Sequence, residues 1–182
     1  MKKTIAILLV LVIGMAGVFA DGETASLEIN TLISDITYLG VTTTSDEPTW
    51  TTIGSLIGET DAISVDNTNK KDTPIAYLHV NSNNENFNVF LNNIEVLSSE
   101  AVSTTIDYTL YMTEEGASTA VSHTASNAIT VGSEPVAISV TEATAITKTY
   151  ASLAVELDAN DWANALVADD YESTMTFEFK AI

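Results

Sequence analysis

Near the end of this sequence Tyr171, Met175, Phe177 and Phe179 fall on one parity of the chain, while Glu172, Thr174, Thr176, Glu178 and Lys180 fall on the other. Only an extended strand sends successive side chains to opposite faces, so this pattern demands a sheet with one face buried and the other wet. The same period opens the chain after residue 23, where Ala25, Leu27, Ile29 and Ile33 alternate with Ser26, Glu28 and Asn30. Between these two amphipathic strands lie further strand-like runs at 35–43, 49–57, 62–66, 74–80, 86–94, 102–112, 128–131, 136–140 and 148–158. Thr, Ser, Val and Ile dominate them, the residues that suit a pleated, half-buried surface. In the run 102–112, Ile106, Tyr108, Leu110 and Met112 take one side, and Asp107, Thr109 and Tyr111 the other.

The punctuation agrees with this reading. Asn81-Ser82-Asn83-Asn84-Glu85-Asn86 separates two apolar runs and predicts a hairpin turn, because Asn tolerates left-handed backbone angles and bonds to its own main chain. Glu114-Glu115-Gly116 predicts a second turn, and the Ser/Thr-rich stretch from Thr113 to Thr130 reads as a long loop. Helical spacing shows only at 160–167, where Asp158 or Asn160 can cap one or two turns and Trp162, Ala165 and Leu166 form a short apolar stripe. About ten short strands with turns between them predict an all-β fold, an antiparallel β-sandwich of the immunoglobulin-like or pilin-like kind, with at most one short helix near 160–167. A barrel is the structural competitor. An outer-membrane barrel fits poorly, since many strands are too short or too polar to present a lipid-facing band.

The first twenty residues read differently. Met1-Lys2-Lys3 is basic, Ile5 to Val18 is almost wholly apolar, and Val18-Phe19-Ala20 sets small residues at the −3 and −1 positions of a cleavage site. This is the three-part export signal, so the expected organisation is a signal peptide at 1–20 and a single β-sandwich domain at 21–182. An exported protein, periplasmic, at the cell surface or extracellular, is the expectation, with no membrane span after cleavage.

Charge and cysteine content remove whole classes of function. Of 182 residues, 25 are Asp or Glu and 6 are Lys or Arg, giving a formal net charge of −19. All six cations are lysines, and two of them lie in the signal. Nucleic acid is not an expected partner, because phosphate affinity rests on clustered Lys and Arg. With 0 cysteines there is no disulfide framework, thiol nucleophile or thiolate metal site.

Candidates for chemistry are few. The 2 histidines, His79 and His123, lie far apart in sequence and in no catalytic or metal motif. His79 shares a strand face with Tyr77 while Ala76, Leu78 and Val80 take the other, which predicts a surface position or packing beside an aromatic ring. The acids could include a glycosidase pair, which only three-dimensional spacing defines; most sit at solvent-side positions and read as a solubilising surface. Asp66-Asn67-Thr68-Asn69 with Asp72, and Asp158 with Asn160 and Asp161, cluster the oxygen ligands that calcium prefers, without the full loop that binds it. No catalytic residue and no cofactor beyond such calcium is expected. Trp50, after Asp46-Glu47-Pro48 at a loop edge, is the candidate ligand platform; the competing reading for both tryptophans is core or interface packing.

The opening run Thr24–Asp35, the ending Ala168–Ile182 and the central Ile75–Leu91 together resemble cysteine-free bacterial fimbrial (pilin-like) subunits. Such subunits start with an alternating strand after the signal and end with small residues, a Tyr and an alternating strand. This sequence departs from their pattern at Asp169, where a glycine is usual two residues before that Tyr. The resemblance implies assembly by β-strand addition, with Ala25, Leu27, Ile29 and Ile33 filling the groove of a neighbour; the same alternation suits an ordinary strand of the chain's own sheet. The expected function is that of a non-enzymatic structural or adhesive surface protein whose partners are copies of itself or other surface subunits. The alternative is a carbohydrate-binding module whose partners are glycans.

Overall fold

A computed structural model of the chain describes residues 37–48, 50–52, 55–56, 63–125, 129–130 and 132–182, with the backbone alone at 50–52 and 55–56. All of them belong to one compact unit, Ser34–Ile182. The alternating run at 35–43 becomes β1 (Thr37–Thr42), and the run at 49–57 becomes two short strands, β2 (Trp50–Thr52) and β3 (Ser55–Leu56), that pair antiparallel. There follow β4 (Ala76–Ser82), β5 (Phe87–Ile94), β6 (Leu97–Ser99), β7 (Thr104–Ile106), β8 (Tyr108–Glu114), β9 (Val121–Thr124), β10 (Val136–Val140) and β11 (Thr147–Leu157). One helical turn and a half, α1 (Ala159–Asn164), then leads to β12 (Met175–Ala181).

The fold is all-β and antiparallel throughout. A five-stranded sheet runs β1-β4-β11-β8-β9 and a three-stranded sheet runs β10-β5-β12, with β2-β3 and β6-β7 as separate two-stranded pairs. The two larger sheets face each other in a sandwich-like arrangement, because their inward parities meet in one core. Leu78, Val80, Leu110, Met112 and Val155 come from the first sheet, and Phe87, Val89, Leu91 and Ile138 from the second. Ile106, Tyr108, Leu110 and Met112, the parity read from sequence as apolar, are all buried.

Two bulges keep that parity in phase. Ala137 and Ile138 are consecutive and both buried, which an unbroken strand forbids; the register against β5 shifts between Val136 and Ile138 to allow it. Leu91 and Ile94 are three apart and both buried, and the pairing with β12 shifts at the same place. Each bulge supplies the one residue that returns an apolar side chain to the core.

Several expectations are corrected. The Asn-rich segment after β4 is not a hairpin turn: β4 and β5 lie in different sheets, so residues 83–86 carry the chain across the core. Ile63–Asp66 forms no strand, and neither do Ile129 and Thr130, the remainder of those two runs lying outside the described residues. The Ser/Thr-rich stretch is not wholly loop, since β9 pairs with β8 through Met112↔Val121 to Thr109↔Thr124. Gly116, at φ +80°, supplies the left-handed residue of that connection. The short helix exists and Asp158 caps it, its carboxylate accepting from Asn160 N at 2.8 Å and Asp161 N at 3.0 Å. Its apolar stripe is not buried, because the helix ends at Asn164 and none of its residues is enclosed.

Candidate functional site

One flank of the sandwich is unfinished among the described residues. β12 is an edge strand that pairs only with β5, and β1 is an edge strand that pairs only with β4. Leu39 and Val41 of β1, and Met175, Phe177 and Phe179 of β12, sit on the inward parity yet are only partly buried. In a closed sandwich such side chains would be covered from both sides. Here Val41, Met175 and Phe177 line a groove of about 1050 Å³ whose walls also include Tyr108 and Val155, while Phe179 packs on Phe87 with ring centroids 5.0 Å apart.

The crossover from β11 to β12 forms the lip of this groove. Trp162, Ala165, Leu166 and Val167 line it, with Trp162 38%, Leu166 58% and Val167 100% exposed. The crossover is held by polar bonds as well as by the partial burial of Ala165 and Tyr171 against the core. Ser99 Oγ donates to Asp170 Oδ1 and Ala101 N donates to Asp170 Oδ2 at 3.0 Å, so this carboxylate is held below the usual range, first by Ser99 and then by Ala101. Ser98 and Glu172 exchange two backbone bonds, and Tyr171 donates to the Leu166 carbonyl at 3.0 Å. Deeper in, the Tyr108 hydroxyl donates to Ser173 Oγ at 2.9 Å, which donates to the Glu95 carbonyl at 2.6 Å. Burial pushes the Tyr108 phenol up, with Glu95 adding to the effect and the bond to Ser173 opposing it.

Ala25, Leu27, Ile29 and Ile33 lie outside the described residues. Trp50 opens β2 opposite Leu56, and its side chain is likewise outside them. Trp162 is at the groove lip rather than in the core. Asp66 spends its carboxylate on Thr68, whose N–H and hydroxyl both donate to Oδ1, and this lowers its pKa. Asp158 is spent as a helix cap. Among the described residues no group of three or more His, Asp or Glu is placed to hold a metal ion.

His79 packs beside aromatic rings, as its strand face suggested, but it is not at the surface, being 4% exposed. Its ring centroid lies 5.6 Å from Tyr150 and 6.5 Å from Tyr77, and those two tyrosines meet edge-to-face at 5.7 Å. His79 Nε2 lies 3.0 Å from the Thr44 carbonyl, which can only accept, so that nitrogen carries the hydrogen. The segment after β1 therefore folds over the outer face of the five-stranded sheet. Between it and β11 lies a second, smaller cleft of about 230 Å³, lined by Glu47, Pro48, His79, Glu115, Lys148 and Tyr150 among others. Of these, the sequence marks Glu47 and Pro48 as neighbours of Trp50, His79 as sharing a strand face with Tyr77, and Glu115 as part of a turn. The rest, Ser45, Val80, Lys148, Thr149 and Tyr150, come from the segment after β1, from β4 and from β11, and no local motif marks them.

No family model, curated protein or solved structure matches this chain.

Proposed function

We propose that this chain is an exported, non-enzymatic structural or adhesive surface protein whose copies associate by β-strand addition. The observation that carries the reading is the unfinished flank: an edge strand, β12, beside a groove lined by inward-facing apolar side chains that nothing described covers. A strand laid along β12 would satisfy the main-chain groups that no described strand pairs and close the groove in one step. The sequence holds a segment of the right kind in Ala25, Leu27, Ile29 and Ile33. In this reading a neighbouring copy supplies it.

The lengths agree. Nine residues from Ala25 to Ile33 span roughly 30 Å when extended, and the seven of β12 roughly 23 Å. Burying Leu27, Ile29 and Ile33 contributes roughly 5–9 kcal/mol gross, close to the general cost of association, about 4–15 kcal/mol. Side chains alone would thus give weak binding, and the main-chain ladder must supply the surplus.

The direct test uses a chain lacking Glu23–Ile33 and a synthetic peptide of those residues. Binding of the peptide, with weakening on Leu27→Asp or Ile29→Asp and new amide protection in β12, is the expected result. A peptide that does not bind, together with a full chain that stays monomeric at millimolar concentration, would remove the reading.

A further inference from the structure

We propose that the cleft between Pro48 and Tyr150 is a glycan site that takes one neutral pyranose residue. It is separate from the groove at β12, and the strand-addition reading stands or falls without it.

The cleft has the parts that such a ligand requires. A sugar ring has an apolar face of C–H groups and an equator of hydroxyls, so it needs a fixed aromatic face beside groups that accept and donate hydrogen bonds. Tyr150 supplies the ring, and its orientation is set by a perpendicular contact with Tyr77 at 5.7 Å and by His79 at 5.6 Å. His79 is in turn fixed by the Thr44 carbonyl at 3.0 Å. Pro48 also lines the cleft and adds an apolar surface without a donor of its own.

The polar groups stand around this ring. Glu47 and Lys148 form an ion pair across the cleft, which ties the covering segment to β11. Glu115 is set at the end of the cleft by its backbone N–H, which donates to the Tyr150 carbonyl at 2.8 Å, and its carboxylate accepts from Thr149 Oγ1 at 3.3 Å. Two carboxylates and one ammonium provide acceptors and a donor within one small space, the arrangement that binds adjacent hydroxyls. A volume of about 230 Å³ holds roughly eight waters at liquid density, which is room for a single hexose and its hydroxyls.

Charge selects among ligands. Glu47, Glu115 and Lys148 sum to −1, within a chain of net charge −19, so uronic and sialic acids are repelled. A cation would meet Lys148, whose ammonium already occupies Glu47. A neutral sugar escapes both conflicts.

The full chain is to be titrated with methyl glucoside, methyl galactoside, methyl mannoside and N-acetylglucosamine, with glucuronic acid and tetramethylammonium as charged controls. Resonances of Lys148, Thr149 and Tyr150 report the site. Saturable shifts at these residues by at least one neutral sugar, at millimolar or lower concentration and with no response to either charged control, are expected. Tyr150→Ala and Glu115→Gln should each weaken binding at least tenfold. Tyr150→Trp should retain it, and Trp162→Ala, remote at the groove lip, should leave it unchanged. Tyr150→Trp also guards against a folding artefact in the alanine variant. No shift with any neutral sugar, binding unaltered by Tyr150→Ala, or preference for tetramethylammonium would each overturn the assignment.

Discussion

The unfinished flank makes a prediction that reverses the usual order of residue size. Leu91 is 0% exposed at the centre of β5, and its strand neighbour across the ladder is Phe177 of β12, only partly buried at the groove. Truncating Leu91 to Ala removes apolar atoms and leaves an enclosed cavity, for which buried leucines lose about 2–5 kcal/mol. An enclosed Phe would lose about 3–5 kcal/mol, more than most leucines. Phe177→Ala opens instead onto the groove, where solvent removes the cavity contribution and leaves only the transfer part, roughly 2 kcal/mol. Urea denaturation of the chain lacking Glu23–Ile33, kept dilute so that it is monomeric, should therefore show Leu91→Ala more damaging than Phe177→Ala by about 1–2 kcal/mol. With the peptide of residues 23–33 saturating, the cost of Phe177→Ala should rise toward the enclosed value. If Phe177→Ala costs as much as Leu91→Ala in the bare chain, the flank is closed in solution and the groove is no docking site.

Other consequences follow from individual side chains. Asp158→Ala should cost about 1 kcal/mol in thermal denaturation, because the carboxylate caps two N–H groups of α1 that no other side chain reaches. The Asp170 carboxylate, lowered by Ser99 and Ala101, stabilises the groove lip at any pH above the unfolded value, about 3.9. That contribution is lost as pH falls through the depressed folded value. The protection of the Ala101 amide from hydrogen exchange, taken relative to the intrinsic rate at each pH, should accordingly be present at pH 5 and lost in strong acid, and Asp170→Ala should remove it at pH 5. The Tyr108 phenol is raised by burial, so the unfolded chain ionises first as pH passes about 10. Stability should fall above that pH, and by less in Tyr108→Phe, as read from urea midpoints between pH 8 and 11.

The strands were legible where parity and burial coincide. Ile106, Tyr108, Leu110 and Met112 were placed on one face by sequence alone and are buried. The break at Asp107, which divides that run into β7 and β8, was not legible because parity continues across it unchanged. The Asn-rich segment gave the right location for a turn and the wrong kind. Asn tolerates turn backbone and so marks a break between strands, but local chemistry does not say whether the next strand joins the same sheet or the opposite one. The bulge at Ala137 was hidden for a related reason: two consecutive apolar residues read as a lapse in alternation until the register with β5 explains them. As for sites, the outer cleft depends on Tyr150 meeting His79 across β4 and β11, a pairing between residues 71 apart that no periodicity encodes.

Net charge decides what can hold copies of this chain together. With 25 acids against 6 lysines, two copies repel at every separation where their fields overlap, and the described ion pairs are few and exposed. Surface pairs of that kind contribute at most about 1 kcal/mol each, too little to offset the repulsion. Under the strand-addition proposal, association would come from main-chain bonds and apolar burial, which salt leaves intact, while salt screens the opposing term. Raising ionic strength from 0.01 to 0.15 M shortens the screening length from about 30 to about 8 Å, so self-association should tighten over that range. Sedimentation equilibrium on the full chain measures this directly. Dimers that loosen as salt rises would mean that opposite charges join the copies, and an added apolar strand would no longer account for the contact.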